Sequence, residues 1–201
     1  EREDLMPGYD GRLVEKLTNR WINFSEQSEV VNASLHLVKT WRARNLAINQ
    51  PIFDLSQADR LVLDDKFMAE QLNKQTPYLD AYKKRVENLI DHSRFYGSEP
   101  ILITQPILWA EVVDPTTGYN LGTIKIKDKM NAKLYWLILE KYNDILRFVS
   151  QGKGVFLIDL AHELPKDSLY FYDGIHSNKV GAEKIAQILS SNFRSYWQTY
   201  G

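Results

Sequence analysis

The residues in this chain best suited to chemistry are Asp173 and His176, in the string Asp173-Gly174-Ile175-His176. A carboxylate three residues before a histidine, across a glycine, can accept the imidazole Nδ1–H. That fixes the tautomer and leaves Nε2 free as a general base. Such a pair supplies two of the three members of a nucleophile–base–carboxylate triad. Gly97-Ser98 is the only Gly-Ser pair, and helix termination explains it better than an activated serine does. The competing reading is that Asp-x-x-His only orders a turn, with Ser177 or Asn178 capping the helix that follows.

The remaining chemistry-bearing residues give weaker patterns. His36 and His92 fall within helical stripes, and Ala161-His162-Glu163 reads as the start of a helical turn close to a strand end. There is no His-Glu-x-x-His string, a lone Asp-x-x-His is poor zinc spacing, and no glycine loop could cradle phosphate, so no metal or cofactor is expected. The absence of cysteine excludes disulfides, thiolate metal sites and a cysteine nucleophile. Asn23-Phe24-Ser25 and Asn32-Ala33-Ser34 match the glycosylation pattern. Trp109, Tyr119, Tyr170, Phe171 and Tyr172 could line an acyl or sugar pocket, or could pack loops over a sheet.

The elements that must position these residues follow from periodicity. Leu13, Leu17, Trp21 and Phe24 recur at helical steps, as do Val31, Leu35, Val38 and Trp41. After the break at Asn49-Gln50-Pro51, a polar helix is expected from about Gln57 to Asn73. Thr76-Pro77 reads as an N-cap and first helical position, with Leu79, Tyr82, Val86, Leu89 and Ile90 on one face and Gly97 as terminator. Residues 100–106 then read as a buried strand, and 110–128 as loop with turns at Asp114-Pro115 and Thr117-Gly118. A helix from about Asp128 to Ser150 carries Leu134, Leu137, Ile138, Ile145 and Val149 inward and is ended by Gly152-Lys153-Gly154. Val155–Asp159 is a second buried strand, and the last helix runs from about Lys179 to Trp197 with Ile185, Ile188, Leu189 and Phe193 inward. Helix, strand, helix, strand, helix is the order of an α/β protein with a parallel sheet covered on both faces. Two strands are too few to complete such a sheet. Asp159 and the Asp173/His176 loop both follow strand C-termini, the edge where sites form in open α/β sheets.

At 201 residues the chain has the size of one domain with a substantial core, and 44% hydrophobic and 25% charged content is that of a globular protein. A net charge of −1 gives no reason to expect nucleic acid as a partner. No apolar run approaches the roughly 18 residues a membrane helix needs, so no membrane span is expected.

From about Tyr142 onward the chain resembles the end of an SGNH (GDSL-type) hydrolase. The resemblance rests on Tyr142-Asn143, the strand Gly154–Leu160, Leu164-Pro165, Tyr172-Asp173-Gly174-Ile175-His176-Ser177-Asn178 and Gly181-Ala182. Ile103-Thr104-Gln105-Pro106 resembles that family's strand leading into the site, so the likeness spans roughly residues 98–190. It implies a three-layer α/β/α domain of flavodoxin-like type over residues 1–201, with 1–75 a helical, cap-like part and 76–201 the C-terminal α/β part. It also implies His176 as general base, Asp173 as its orienting carboxylate, and a small-molecule or acylated ester as substrate. A bacterial extracytoplasmic setting goes with the family.

The family's Gly-Asp-Ser and Gly-x-Asn-Asp blocks are missing from this sequence. The chain is therefore expected to be the portion after those blocks, a reading suited to its start at Glu1-Arg2-Glu3-Asp4 without methionine. The serine and the first strands would then lie upstream and complete the sheet. Two other readings stay open: a degenerate, non-catalytic α/β module that binds a carbohydrate or partner through the same edge, and a helix-rich interaction fragment.

Overall fold

The computed structural model describes residues 54–200, which fall within a compact unit spanning Ile52–Gly201. His36, the two glycosylation patterns and the helical stripes before Asn49 lie outside the described residues.

The first helix, α1 (Asp65–Asn73), is capped by Asp64, whose side chain accepts from the N–H groups of Lys66 and Phe67 at 2.9 and 3.1 Å. It starts eight residues later than the expected Gln57. The cause is tertiary: Leu61 N–H donates to the Thr123 carbonyl at 2.7 Å and Lys125 N–H to the Asp59 carbonyl at 2.8 Å, which holds residues 59–61 extended. Helix α2 (Thr76–Phe95) places Pro77 in its first turn, where a missing N–H breaks no helical hydrogen bond. Thr76 is inside the helix rather than its cap, and its hydroxyl donates to the Asn73 carbonyl at 2.9 Å. At the other end Gly97 takes φ 77°, and the bonds Gly97 N–H to Arg94 O and Ser98 N–H to Ser93 O close a Schellman motif.

Strand β1 (Ile101–Ile103) pairs in parallel with a later strand. Before that strand come a short 3₁₀ turn (Leu121–Thr123) and an antiparallel hairpin of β2 (Lys125–Lys127) and β3 (Met130–Asn131). The hairpin corrects the expectation of loop up to residue 128. It also delays helix α3 (Ala132–Lys153), whose N-cap is Asn131, accepting from Leu134 N–H at 2.9 Å. Gly154, at φ 60°, ends α3 as expected. Strand β4 (Phe156–Ile158) then aligns with β1 in the register Ile101↔Phe156, Leu102↔Leu157 and Ile103↔Ile158. One helical turn, α4 (Leu160–Glu163), follows directly. The last helix, α5 (Lys179–Tyr200), begins after Asn178, whose Oδ1 accepts from Gly181 N–H at 2.9 Å.

Two apolar clusters hold these elements. Val86 and Ile90 of α2 pack with Val149 and Val155, and Leu102 of β1 joins them. The larger cluster gathers Ile107, Leu121, Ile124, Ile158, Leu164 and Ile188, with Ile101, Phe156 and Phe193 packed against it. Leu102 and its neighbour Ile101 thus serve different clusters, as strand alternation requires. Among the described residues the parallel sheet has two strands only, so the strands are half-covered rather than fully buried, and Ile103 is 40% exposed. Leu89, assigned to the apolar face of α2, is 63% exposed. No helix among the described residues is long and apolar enough to cross a membrane.

Candidate active site

Because β1 and β4 run in parallel, both deliver the chain to the same edge. Thr104 follows β1 and Asp159 follows β4, and they are tied there. The Thr104 hydroxyl donates to Asp159 Oδ1 at 2.8 Å and accepts from Ala161 N–H at 2.9 Å. Asn143, buried within α3, accepts from Gln105 N–H at 2.9 Å and donates to the Gln105 carbonyl at 3.1 Å. A carboxamide that grips both main-chain groups of one residue fixes the strand end where it leaves the sheet.

The chain then returns over this edge in residues 165–178. Lys166 donates to the Ile107 carbonyl at 2.7 Å, and burial pushes its amine down to about 8. Asp114, fully buried, accepts from Ser168 N–H at 2.8 Å, from the Ser168 hydroxyl at 2.7 Å and from Thr117 N–H and hydroxyl. Burial pushes the Asp114 carboxyl up, but these four donors outweigh it and hold the group below the usual carboxylate range. Asp114 thereby pins the turn predicted at 114–118 to the segment that carries His176. Asn178 anchors the far end, donating to the Leu169 carbonyl at 2.8 Å.

Between these anchors, Phe171 bridges to Ser177, and Tyr172 N–H donates to the His176 carbonyl at 3.1 Å, closing a tight loop. Asp173 organises the loop with one oxygen and serves the histidine with the other. Oδ1 accepts from the N–H groups of Ile175 and His176, each at 2.7 Å, and Oδ2 lies 2.8 Å from His176 Nδ1. The turn-ordering role and the imidazole-orienting role, which the sequence presented as alternatives, are held by the two oxygens of one side chain. Gly174 is required between them: a Cβ there would lie 1.8 Å from the buried Trp109 ring, and its carbonyl accepts from Leu108 N–H at 3.0 Å.

Tyr172 stacks on the imidazole, with ring centroids 5.5 Å apart and planes within 6°. Partial burial pushes the Asp173 carboxyl up, but hydrogen bonds from the His176 backbone and ring and from Ile175 prevail and set it below its ordinary range. Nδ1 facing a carboxylate makes Nε2 the open nitrogen, and Nε2 makes no hydrogen bond among the described residues. The His176 side chain is 62% exposed. Ser98 sits at the opposite end of β1 from this edge, in the helix-terminating turn.

A second Asp-x-x-His, Asp159–His162, lies on the same edge; the sequence placed Asp159 there and read His162 as part of a helical turn, which it is. His162 Nδ1 is 2.9 Å from Asp159 Oδ2. Asp159 is already engaged, however: Arg147 Nε reaches Oδ2 at 2.9 Å and Arg147 Nη2 reaches Oδ1 at 2.8 Å. Arg147 also pairs with Glu140 at 3.0 Å and Asp144 at 2.7 Å. Burial pushes Asp159 up, and the Arg147 and Thr104 hydrogen bonds bring it below the ordinary range. The identical spacing of Asp159 and His162 was the available signal. Its partner Arg147, twelve residues earlier on α3, carries no sequence mark.

Among the described residues, no group of three or more histidines and carboxylates is arranged to hold a metal ion. No family model, curated protein or solved structure matches the chain.

Proposed function

We propose that this chain carries the base–carboxylate half of an SGNH-type serine ester hydrolase. The observation that carries the reading is the 2.8 Å contact between Asp173 Oδ2 and His176 Nδ1, with Nε2 open beside the C-terminal ends of two parallel strands. In this reading His176 Nε2 takes the proton from a serine hydroxyl as its oxygen attacks the ester carbonyl. It then returns the proton to the departing alkoxide, and water repeats the cycle on the acyl-serine. Asp173 holds the ring and stabilises the imidazolium without itself being protonated. The serine and the oxyanion donors come from chain outside the described residues, and the two-stranded sheet is the remnant of a fuller three-layer α/β/α domain. Helices against both clusters and an uncovered Ile103 support that extension.

A second reading, a non-catalytic α/β binding module, has one observation in its favour: no described serine meets His176 Nε2. Fluorophosphonate labelling of the purified protein, read by intact mass, separates the two. The hydrolase reading expects one adduct that disappears in His176→Ala, and the adduct mass identifies the piece carrying the serine. Absence of any adduct from the protein, alone or joined to any segment that precedes it in its reading frame, favours the binding module.

A further inference from the structure

Gln105 combines a fixed main chain with a free side chain. Asn143 holds its N–H and its carbonyl, and the remaining Asn143 proton goes to Glu140 Oε1 at 3.0 Å. Burying a carboxamide is costly unless all its groups are bonded. Here those bonds go to one residue's backbone and to a carboxylate. The Gln105 side chain is exposed and makes no hydrogen bond among the described residues. The strand end that carries this side chain is thus held in place, while the side-chain amide keeps its hydrogen-bonding capacity for a ligand.

That side chain borders a groove of about 500 Å³, which it shares with His176. Pro106, Leu160, Phe171, Ile175 and Ile185 line much of the rest. No carboxylate, ammonium or guanidinium contributes to the lining, so a charged ligand would find no counter-ion there. Small-molecule sites are mostly apolar with a few placed polar groups, and this groove has that composition. An ester offers hydrogen-bond acceptors but no donor. The Gln105 amide N–H supplies a donor on the wall of the groove that His176 also lines.

Resting on the hydrolase reading, we propose that Gln105 is a specificity residue. It donates a hydrogen bond to the ester oxygen of a neutral, short-chain acyl substrate whose hydrocarbon lies along Pro106, Leu160 and Ile185.

The test uses the full chain, ¹⁵N-labelled, titrated with N-methylbutyramide as an unhydrolysable neutral acyl probe, with fluorophosphonate labelling run alongside. The probe should shift the Gln105 side-chain amide and the His176 ring signals. Gln105→Leu, near-isosteric but without the donor, should weaken its binding about three- to tenfold, the factor of one hydrogen bond. The backbone resonances of Asn143 and residue 105 report that the strand end is intact in the variant. Unchanged affinity in Gln105→Leu, or a probe that moves neither signal, overturns the proposal. If either result accompanies a His176-dependent adduct, the hydrolase reading stands. Gln105-dependent binding with no adduct, on the chain alone or joined to any preceding segment that carries a Gly-Asp-Ser block, keeps the neutral acyl groove and removes the hydrolase.

Discussion

Two turns on one edge of this molecule share the spacing Asp-x-x-His, and both place a histidine Nδ1 within 2.9 Å of the preceding carboxylate. They differ in what else that carboxylate holds. Asp159 is gripped by Arg147 through both oxygens and by the Thr104 hydroxyl, so its charge is spent on fixing α3 to the two strand ends. His162 Nε2 in turn stands 3.5 Å from Glu140 Oε2 and 3.3 Å from Arg147 Nη2, inside the same ionic network. Asp173 meets no arginine or lysine among the described residues. Its partners are two backbone N–H groups of its own turn and the imidazole, and His176 lines a groove. Spacing makes both pairs; the neighbours decide which histidine keeps an open ring nitrogen.

The largest expected effect separates the two pairs by activity. Under the hydrolase reading, Asp173→Asn leaves the turn's acceptor but removes the carboxylate that fixes the His176 tautomer. It should lower ester turnover by about 10³–10⁴-fold, the scale seen when a triad carboxylate is neutralised. Asp159→Asn should leave turnover near that of the unsubstituted protein, because His162 moves no proton in the reaction. Steady-state hydrolysis of a neutral short-chain ester by the complete protein reads both. Equal losses in the two variants would erase the distinction.

The second effect reverses the ranking, with stability as the readout. Arg147→Met strands Asp159, Glu140 and Asp144 without their shared cation. Breaking a fully buried ion pair costs about 3–5 kcal/mol, and this partly solvated network should lose about 2–3 kcal/mol. His176→Ala should leave the urea midpoint nearly unchanged, since that ring is 62% exposed and packs mainly on Tyr172. A His176→Ala protein as unstable as Arg147→Met would mean that the second turn is structural after all.

How much of this was legible in the sequence follows from the range of the forces involved. Local signals read well: Gly97 and Gly154 end their helices at positive φ, Asn178 caps the last helix, and the 114–118 turn forms. The two strands and their parallel pairing also follow from the short apolar runs and the helix between them. Long-range partners did not read. The hairpin of Lys125–Lys127 with Met130–Asn131 is too short to show alternation, and it exists because Ile124 and Leu121 are fully buried against the larger cluster. The start of α1 moved because residues 59–61 found partners at 123–125. Asn143 stands out in the sequence only through the Tyr142-Asn143 resemblance, and nothing near it in sequence announces Gln105. Of the candidate site, Asp173 and His176 stood out through a local carboxylate–imidazole pattern, whereas the Arg147 network that occupies the neighbouring pair is assembled across the fold.

The smallest effect is on the acid limb of stability, and it sharpens the comparison by the kind of donor each carboxylate uses. Asp159 and Asp173 both titrate below the ordinary carboxylate value of 3.8 in the folded protein. A depressed folded value means that the unfolded chain takes up protons first as pH falls. The stabilisation is therefore present in full above about pH 4 and is lost as pH drops through the folded values. Thermal unfolding followed from pH 5 to pH 2 should show a shallower decline in Asp159→Asn and in Asp173→Asn than in the parent. Salt distinguishes the two. Much of the Asp159 stabilisation comes from the Arg147 guanidinium, which added electrolyte screens in part. That of Asp173 comes largely from neutral N–H groups two and three residues away, and a carboxylate held by neutral donors is less sensitive to electrolyte than one held by a cation. Raising ionic strength should thus bring the Asp159→Asn curve toward the parent's and leave the Asp173→Asn difference in place. If salt collapsed both differences alike, Asp173 would be held by long-range charge rather than by its own turn, and the contrast between the two pairs would lose its physical basis.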